Sequence, residues 1–111
     1  MSDQSTLEKI TKLAAKKKSK AIIKLMDSKH ADSEVIVAAL GALEGIGDED
    51  AVNHIAHYLN HEIPAVRIAA CKAGIQIGTE YMKTRVQLQL KEEQDPATKN
   101  AIQEVFNARK N

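Results

Sequence analysis

The 111-residue chain has one cysteine, Cys71, two prolines and no tryptophan. A lone cysteine excludes a disulfide framework or a thiolate metal cluster built within the chain, and it fits a reducing, cytoplasmic setting. Aromatic residues are nearly absent, with only Tyr58, Tyr81 and Phe106. The core must therefore be made from Ala, Ile, Leu and Val, which favours closely packed helices. No apolar run approaches the roughly 20 residues of a membrane span, and the N-terminus has no apolar core of a secretory signal. A soluble protein without a membrane partner is expected. There is no HExxH, and "GIGDED" (45–50) is acidic where a phosphate-binding loop would have to attract anions. A chain of this length is one domain at most, and it buries roughly two thirds of its unfolded surface, so it needs no covalent staple.

Charge is plentiful but segregated. Residues 1–30 carry eight Lys and three acids, residues 31–63 carry seven acids and no Lys or Arg, and residues 64–111 carry eight bases and five acids. Net charge therefore runs +5, −7 and +3 along a chain whose total is +1. Such segregation marks a partner-binding surface, self-association through opposite charges, or two solvated faces.

An internal repeat organises the rest. At a shift of 31 residues, "VIVAALGALEGIG" (35–47) and "VRIAACKAGIQIG" (66–78) share Val35/Val66, Ala38/Ala69, Ala39/Ala70, Ala42/Ala73, Ile46/Ile77 and Gly47/Gly78. These positions follow i, i+3, i+4, i+7, i+11, the buried stripe of a helix. The closing glycine falls where a helix C-terminus takes a left-handed residue. A third copy begins at "PATKNAIQEV", where at a shift of 32 Pro96 matches Pro64, Lys99 matches Arg67, and Ala101 and Val105 match Ala69 and Ala73. Both prolines suit the first turn of a helix, where a missing N–H costs nothing.

Each of these B helices follows an A helix. "SKAIIKLM" places Ile22, Ile23, Leu25 and Met26 on one face, and "AVNHIAHYL" places Val52, Ile55, Ala56 and Leu59. "EYMKTRVQLQLKEE" aligns Met82, Val86 and Leu90, although "VQLQL" alternates like a strand and Tyr81 and Leu88 lie off the stripe. The repeat register decides for a helix. A lysine-rich helix at about 5–17 precedes the array as an N-terminal cap, with Ser5 and Glu8 spaced as a capping box and Leu7, Ile10, Leu13 and Ala14 on its apolar side.

The stretches "DSEVIVAALGALEGIGDEDAV", "PAVRIAACKAGIQIG" and "DPATKNAIQEV" resemble the HEAT repeat family, in particular the short HEAT-like repeats of the phycobilin lyase type. The likeness covers about residues 19–109. It implies an all-α, right-handed α-solenoid (an alpha-alpha superhelix) of about seven helices, with three HEAT-like pairs at about 19–47, 49–78 and 79–109 behind the cap helix, all in a single domain. It also implies that Arg67, early in its B helix, joins a polar ladder between repeats, with Lys99 matching approximately. Ile36 departs from that pattern and is expected to face the cap helix.

Chemistry is thin. His54, His57 and His61 are spaced i, i+3, i+7, and with Asp50 they form a stripe opposite Val52, Ile55, Ala56 and Leu59. His57 and His61 form an i, i+4 pair able to hold a divalent ion, but a structural zinc site wants four ligands. A solvated outer face is expected, with no metal, no cofactor and no catalytic residue. Cys71, flanked by alanines, reads as a buried core thiol. The Lys16–Lys20 run raises nucleic acid binding. That reading is disfavoured because residues 1–57 contain no aromatic to stack a base.

The expected function is that of a small non-catalytic scaffold that binds another protein through the B-helix face. Glu34, Gly41 and Gly45 project from that face in the first repeat, Lys72 and Gln76 in the second, and Asn100 and Glu104 in the third. Rival readings are an enzyme accessory or lyase-like small-ligand binder, and a nucleic-acid binder acting through the Lys-rich segment. A homodimer through the C-terminal end, near Met82, Leu88, Ile102 and Phe106, is also expected.

Overall fold

A computed structural model describes residues 4–110. It contains seven α-helices: α1 (Gln4–Ala15), α2 (Ser19–Met26), α3 (Ser33–Ile46), α4 (Glu49–His57), α5 (Pro64–Ile77), α6 (Glu80–Glu92) and α7 (Pro96–Lys110). They form two layers. α1, α3, α5 and α7 pack side by side as the B layer, and α2, α4 and α6 form the A layer against it. This is an all-α, two-layered solenoid, measuring 35 × 28 × 21 Å.

The local signals explain the helix limits. Asp32, Asp48 and Thr79 cap α3, α4 and α6, each accepting a hydrogen bond from the backbone N–H three residues on. Asp95 does the same for α7, accepting from the Thr98 N–H at 2.9 Å and the Thr98 hydroxyl at 2.6 Å. Gly47 and Gly78 close the two B helices in the left-handed conformation, with φ of 65° and 73°. Lys17 holds the equivalent place after α1 with φ 56°. The Lys18 N–H donates to Leu13 O and the Lys17 N–H to Ala14 O, a complete Schellman motif with a lysine where glycine is easiest. The cap helix thus ends like a B helix, and it lies in the B layer. Gln4 and Ser5 are already helical, so Ser5 stands within α1 rather than in front of it. The residue preceding α1 lies outside the described residues.

The core follows the repeat register. Val35/Val66 and Ala39/Ala70 are buried at matched positions, and Ile22, Met26, Ile55 and Leu59 seal the A layer beneath them. Ile36 is buried on the helix that packs against α1. α6 is a helix throughout "VQLQL", burying Met82 and Val86 while leaving Tyr81 and Leu88 about half exposed. Of the four apolar residues near the C-terminal end, Met82 and Ile102 are fully buried, Phe106 is half-buried and Leu88 is about half exposed.

One close approach was invisible in the sequence pattern. Gly74 occupies the repeat position of Leu43. A Cβ there would lie 2.7 Å from Met82 Cε and 3.0 Å from Val86 Cγ2. The glycine lets α6 settle directly on α5.

Candidate partner-binding face

The open face of the B layer is built from α3, α5 and α7. Glu34, Gly41 and Gly45 on α3, Lys72 and Gln76 on α5, and Asn100 and Glu104 on α7 are all exposed. They share one side of the layer because each core stripe turns the opposite way, and α3 packs closely along α5 and α5 along α7.

A Cβ added to Gly41 or Gly45 would meet no atom within 4 Å. Glycine inside a helix costs roughly 1 kcal/mol against Ala. Crowding within the chain therefore does not explain either residue. The contrast with Gly74 is direct, since that glycine is required by its neighbours.

Two further residues of this face were missed. Val37 is 36% exposed, and Glu44 is half-buried. Burial pushes the Glu44 carboxyl above its ordinary value, with the Lys72 charge acting the other way across the α3–α5 seam. The spacing Glu34, Val37, Gly41, Glu44 (i, i+3, i+7, i+10) could have found both. The face combines small surfaces, one apolar side chain and both signs of charge.

The other singled-out residues fall elsewhere. Cys71 is buried, and burial together with the nearby Glu93 charge pushes its thiol up to about 12, which disfavours the thiolate.

The histidine stripe lies on α4 and the turn that follows it, but it is not simply solvated. His54 Nε2 donates to Asp27 Oδ1 at 2.7 Å, and the Tyr58 hydroxyl donates to the same oxygen at 2.6 Å. Tyr58 stacks on His61 with ring centroids 5.5 Å apart, and His61 Nδ1 accepts the Ile63 N–H at 3.1 Å. The cluster joins α4 to the C-terminus of α2, an inter-repeat contact that no local pattern announces. Of the three histidines His57 is the exposed one, its ring edge-on to that of His54 with centroids 5.6 Å apart. Among the described residues, no group of three or more His, Cys, Asp or Glu is arranged to hold a metal ion.

Lys16, Lys17, Lys18 and Lys20 are exposed around the α1–α2 turn, with Asp48 and Asp50 lining the same open cleft. No helix of the described residues is long and apolar enough to cross a membrane.

A family model described as HEAT repeats matches residues 19–107. The chain belongs to the HEAT repeat family. The match covers α2 to α6 and most of α7, with α1 outside it. It is to HEAT repeats at large and does not single out the lyase type. Searches of the curated proteins and of the solved structures found no match. HEAT repeats commonly mediate protein–protein interaction.

As a HEAT protein the chain has its polar ladder in one strong rung. Arg67 donates from Nε to Glu93 Oε1 at 2.8 Å and from Nη2 to Glu93 Oε2 at 2.9 Å, while Nη1 donates to the His61 and Glu62 carbonyls. Lys99, the approximate counterpart, is exposed and takes no part.

Proposed function

We propose that this HEAT chain is a non-catalytic protein-binding module that holds a partner segment against the B-helix face. The observation that carries the reading is the pair Gly41 and Gly45, exposed in mid-helix with open space where each Cβ would stand. Nothing inside the chain benefits from their smallness, whereas an approaching backbone does. The stacked repeats of a solenoid also suit the fold to gripping an extended or helical segment along several B helices at once. Glu34, Lys72, Gln76, Asn100 and Glu104 supply its hydrogen bonds and charge pairs.

The test is repeated affinity purification of the tagged chain with quantitative mass spectrometry. One partner is recovered by the parent and lost with Gly41→Arg and with Lys72→Glu, while thermal denaturation shows both variants folded. Undiminished recovery of that partner by both folded variants would show that another face is used.

A further inference from the structure

A second surface, distinct from the B-helix face, lies between α6 and α7. We infer that this groove is a stacking seat for an acidic amphipathic helix of a partner protein.

The repeat register identifies the seat. In the second repeat Ala56, Leu59, Cys71 and Gly74 are all buried. Gly74 shows what covers this side, since Met82 and Val86 of the following A helix press onto it. One repeat further on, at the shifts of 31 for the A helix and 32 for the B helix, the same four positions are Gln87, Leu90, Gln103 and Phe106. These four residues line one open cleft of about 150 Å³. Gln87 and Gln103 are exposed, and Leu90 and Phe106 are half-buried. The surface therefore continues the interface that α4 makes on α3 and α6 makes on α5. Its floor is aliphatic and aromatic, with the exposed Gln87 amide beside it, while Gln103 donates from Nε2 to Asn107 Oδ1 at 3.2 Å.

Charge selects the occupant. A neighbouring cleft of about 330 Å³ shares Gln87 and Phe106 and is flanked by Lys83 and Arg109. Among the described residues, no carboxylate lines either cleft. Among the described residues Lys83 pairs with the exposed Glu80, at 3.3 Å, and a pair of that kind contributes little. Arg109, an exposed residue, is held over the end of α5 by its Nε–H bond to the Ile75 carbonyl at 3.3 Å. A helix with an apolar stripe and carboxylates at its flank matches both features. A second copy of the chain does not. Its own α6–α7 end brings the same cations, and its α1–α2 end brings the lysines of a segment of net +5.

The chain contains a suitable probe. The segment 48–62, "DEDAVNHIAHYLNHE", holds α4 and the turn after it, with Ala51, Ile55, Ala56 and Leu59 as its buried stripe and Asp48, Glu49 and Asp50 at its start. A lactam-bridged synthetic peptide of this segment is titrated into the full-length, isotope-labelled protein. The expected result is saturable binding with amide shifts centred on Gln87, Leu90, Gln103 and Phe106. Binding weakens about tenfold or more with Gln87→Glu/Gln103→Glu, with Phe106→Asp and with a peptide whose three N-terminal acids are lysine. Gly41→Arg leaves it unchanged, which separates this seat from the B-helix face. Absence of binding, shifts centred on α3 instead, or equal binding of the charge-reversed peptide overturns the proposal. So does a dimer in light scattering that Gln87→Glu/Gln103→Glu disperses, since a second copy would then be the occupant.

Discussion

Arg67 and Glu93 meet through two parallel hydrogen bonds of 2.8 and 2.9 Å, although 26 residues separate them. Arg67 lies in the first turns of α5 and Glu93 caps the end of α6. Their side chains are 15% and 2% exposed, so the pair is a buried clasp between the second and third repeats. Glu93 also accepts from the Gln89 side chain at 3.3 Å and from the Asp95 N–H at 3.2 Å, and Arg67 additionally holds two carbonyls of the α4–α5 turn.

Removing one partner leaves the other buried without its counter-charge. Arg67→Met is expected to cost about 3 kcal/mol, read by urea denaturation. Arg67→Lys recovers only part of this, because an ammonium cannot make the two-point contact or reach both turn carbonyls at once.

The same pair sets an acid limit. Burial pushes the Glu93 carboxyl up. The Arg67 hydrogen bonds, the Asp95 N–H, the Arg67 charge and the Gln89 amide outweigh it and hold the group below its ordinary 4.5. Asp95 is held below 3.8, chiefly by its two bonds from Thr98. Both folded-state values are lower than the unfolded ones, so the unfolded chain binds more protons in acid. Their stabilisation is complete above about pH 5 and is lost as pH falls through the lowered values. Glu44, whose carboxyl burial raises, acts in the opposite direction. Denaturation at a series of pH values is expected to show stability falling below about pH 5, with a shallower fall for Glu93→Gln. An equally steep fall in that variant would assign the acid limit elsewhere.

Lys17 is a non-glycine residue at φ 56° in the place that Gly47 and Gly78 fill for the next two B helices. Its Cβ is strained there. Lys17→Gly is expected to stabilise by about 0.5–1 kcal/mol after the entropy cost of a glycine, raising Tm by a few degrees. Lys17→Ala, which keeps the Cβ, serves as the control and is expected to leave Tm near the parent's.

Gly74→Ala places a methyl group 2.7 Å from Met82 Cε and 3.0 Å from Val86 Cγ2. The methionine end can swing away, but Val86 cannot do so as easily. A loss of about 1–3 kcal/mol is expected. Met82→Ala opens a cavity and costs about 2–5 kcal/mol by itself. The double variant is expected to lose distinctly less than the two losses added, because the new methyl occupies space the methionine vacates. Strict additivity would mean that the two side chains do not compete for that space.

Gly41 and Gly45 behave oppositely. With open space at both, Gly41→Ala and Gly45→Ala are each expected to stabilise the isolated chain by about 1 kcal/mol. Destabilisation by either one would show that the chain itself uses the glycine, which would remove the main support for the B-helix face.

Much of this molecule is written in local pattern. Val35/Val66, Ala39/Ala70 and Gly47/Gly78 recur because helical periodicity and left-handed termini are properties of a few adjacent residues, and each copy repeats them. That was enough to place seven helices, three pairs and the buried thiol of Cys71. The exposed row from Glu34 to Glu104 follows from the same arithmetic, as the side opposite each apolar stripe. Val37 and Glu44 were within reach of it.

Contacts between repeats obey no such rule. Nothing adjacent to Asp27 shows that His54 and Tyr58 converge on its carboxylate, and the histidine stripe looked wholly solvated until α2 stood beside α4. Which of Met82, Leu88, Ile102 and Phe106 stay exposed near the C-terminal end was likewise decided by packing, with Met82 and Ile102 buried and Leu88 left half exposed.

The sequence by itself determined the period, the helices and the faces, because these depend on side-chain spacing along one element. Only the tertiary structure decided which glycines are needed. Gly74, Gly41 and Gly45 are alike on the page, and they differ because one lies under a methionine of the next helix while the others face open space. The clasp of Arg67 on Glu93 and the uncovered register positions at Gln87 and Phe106 were settled the same way, by how one repeat is set upon the next.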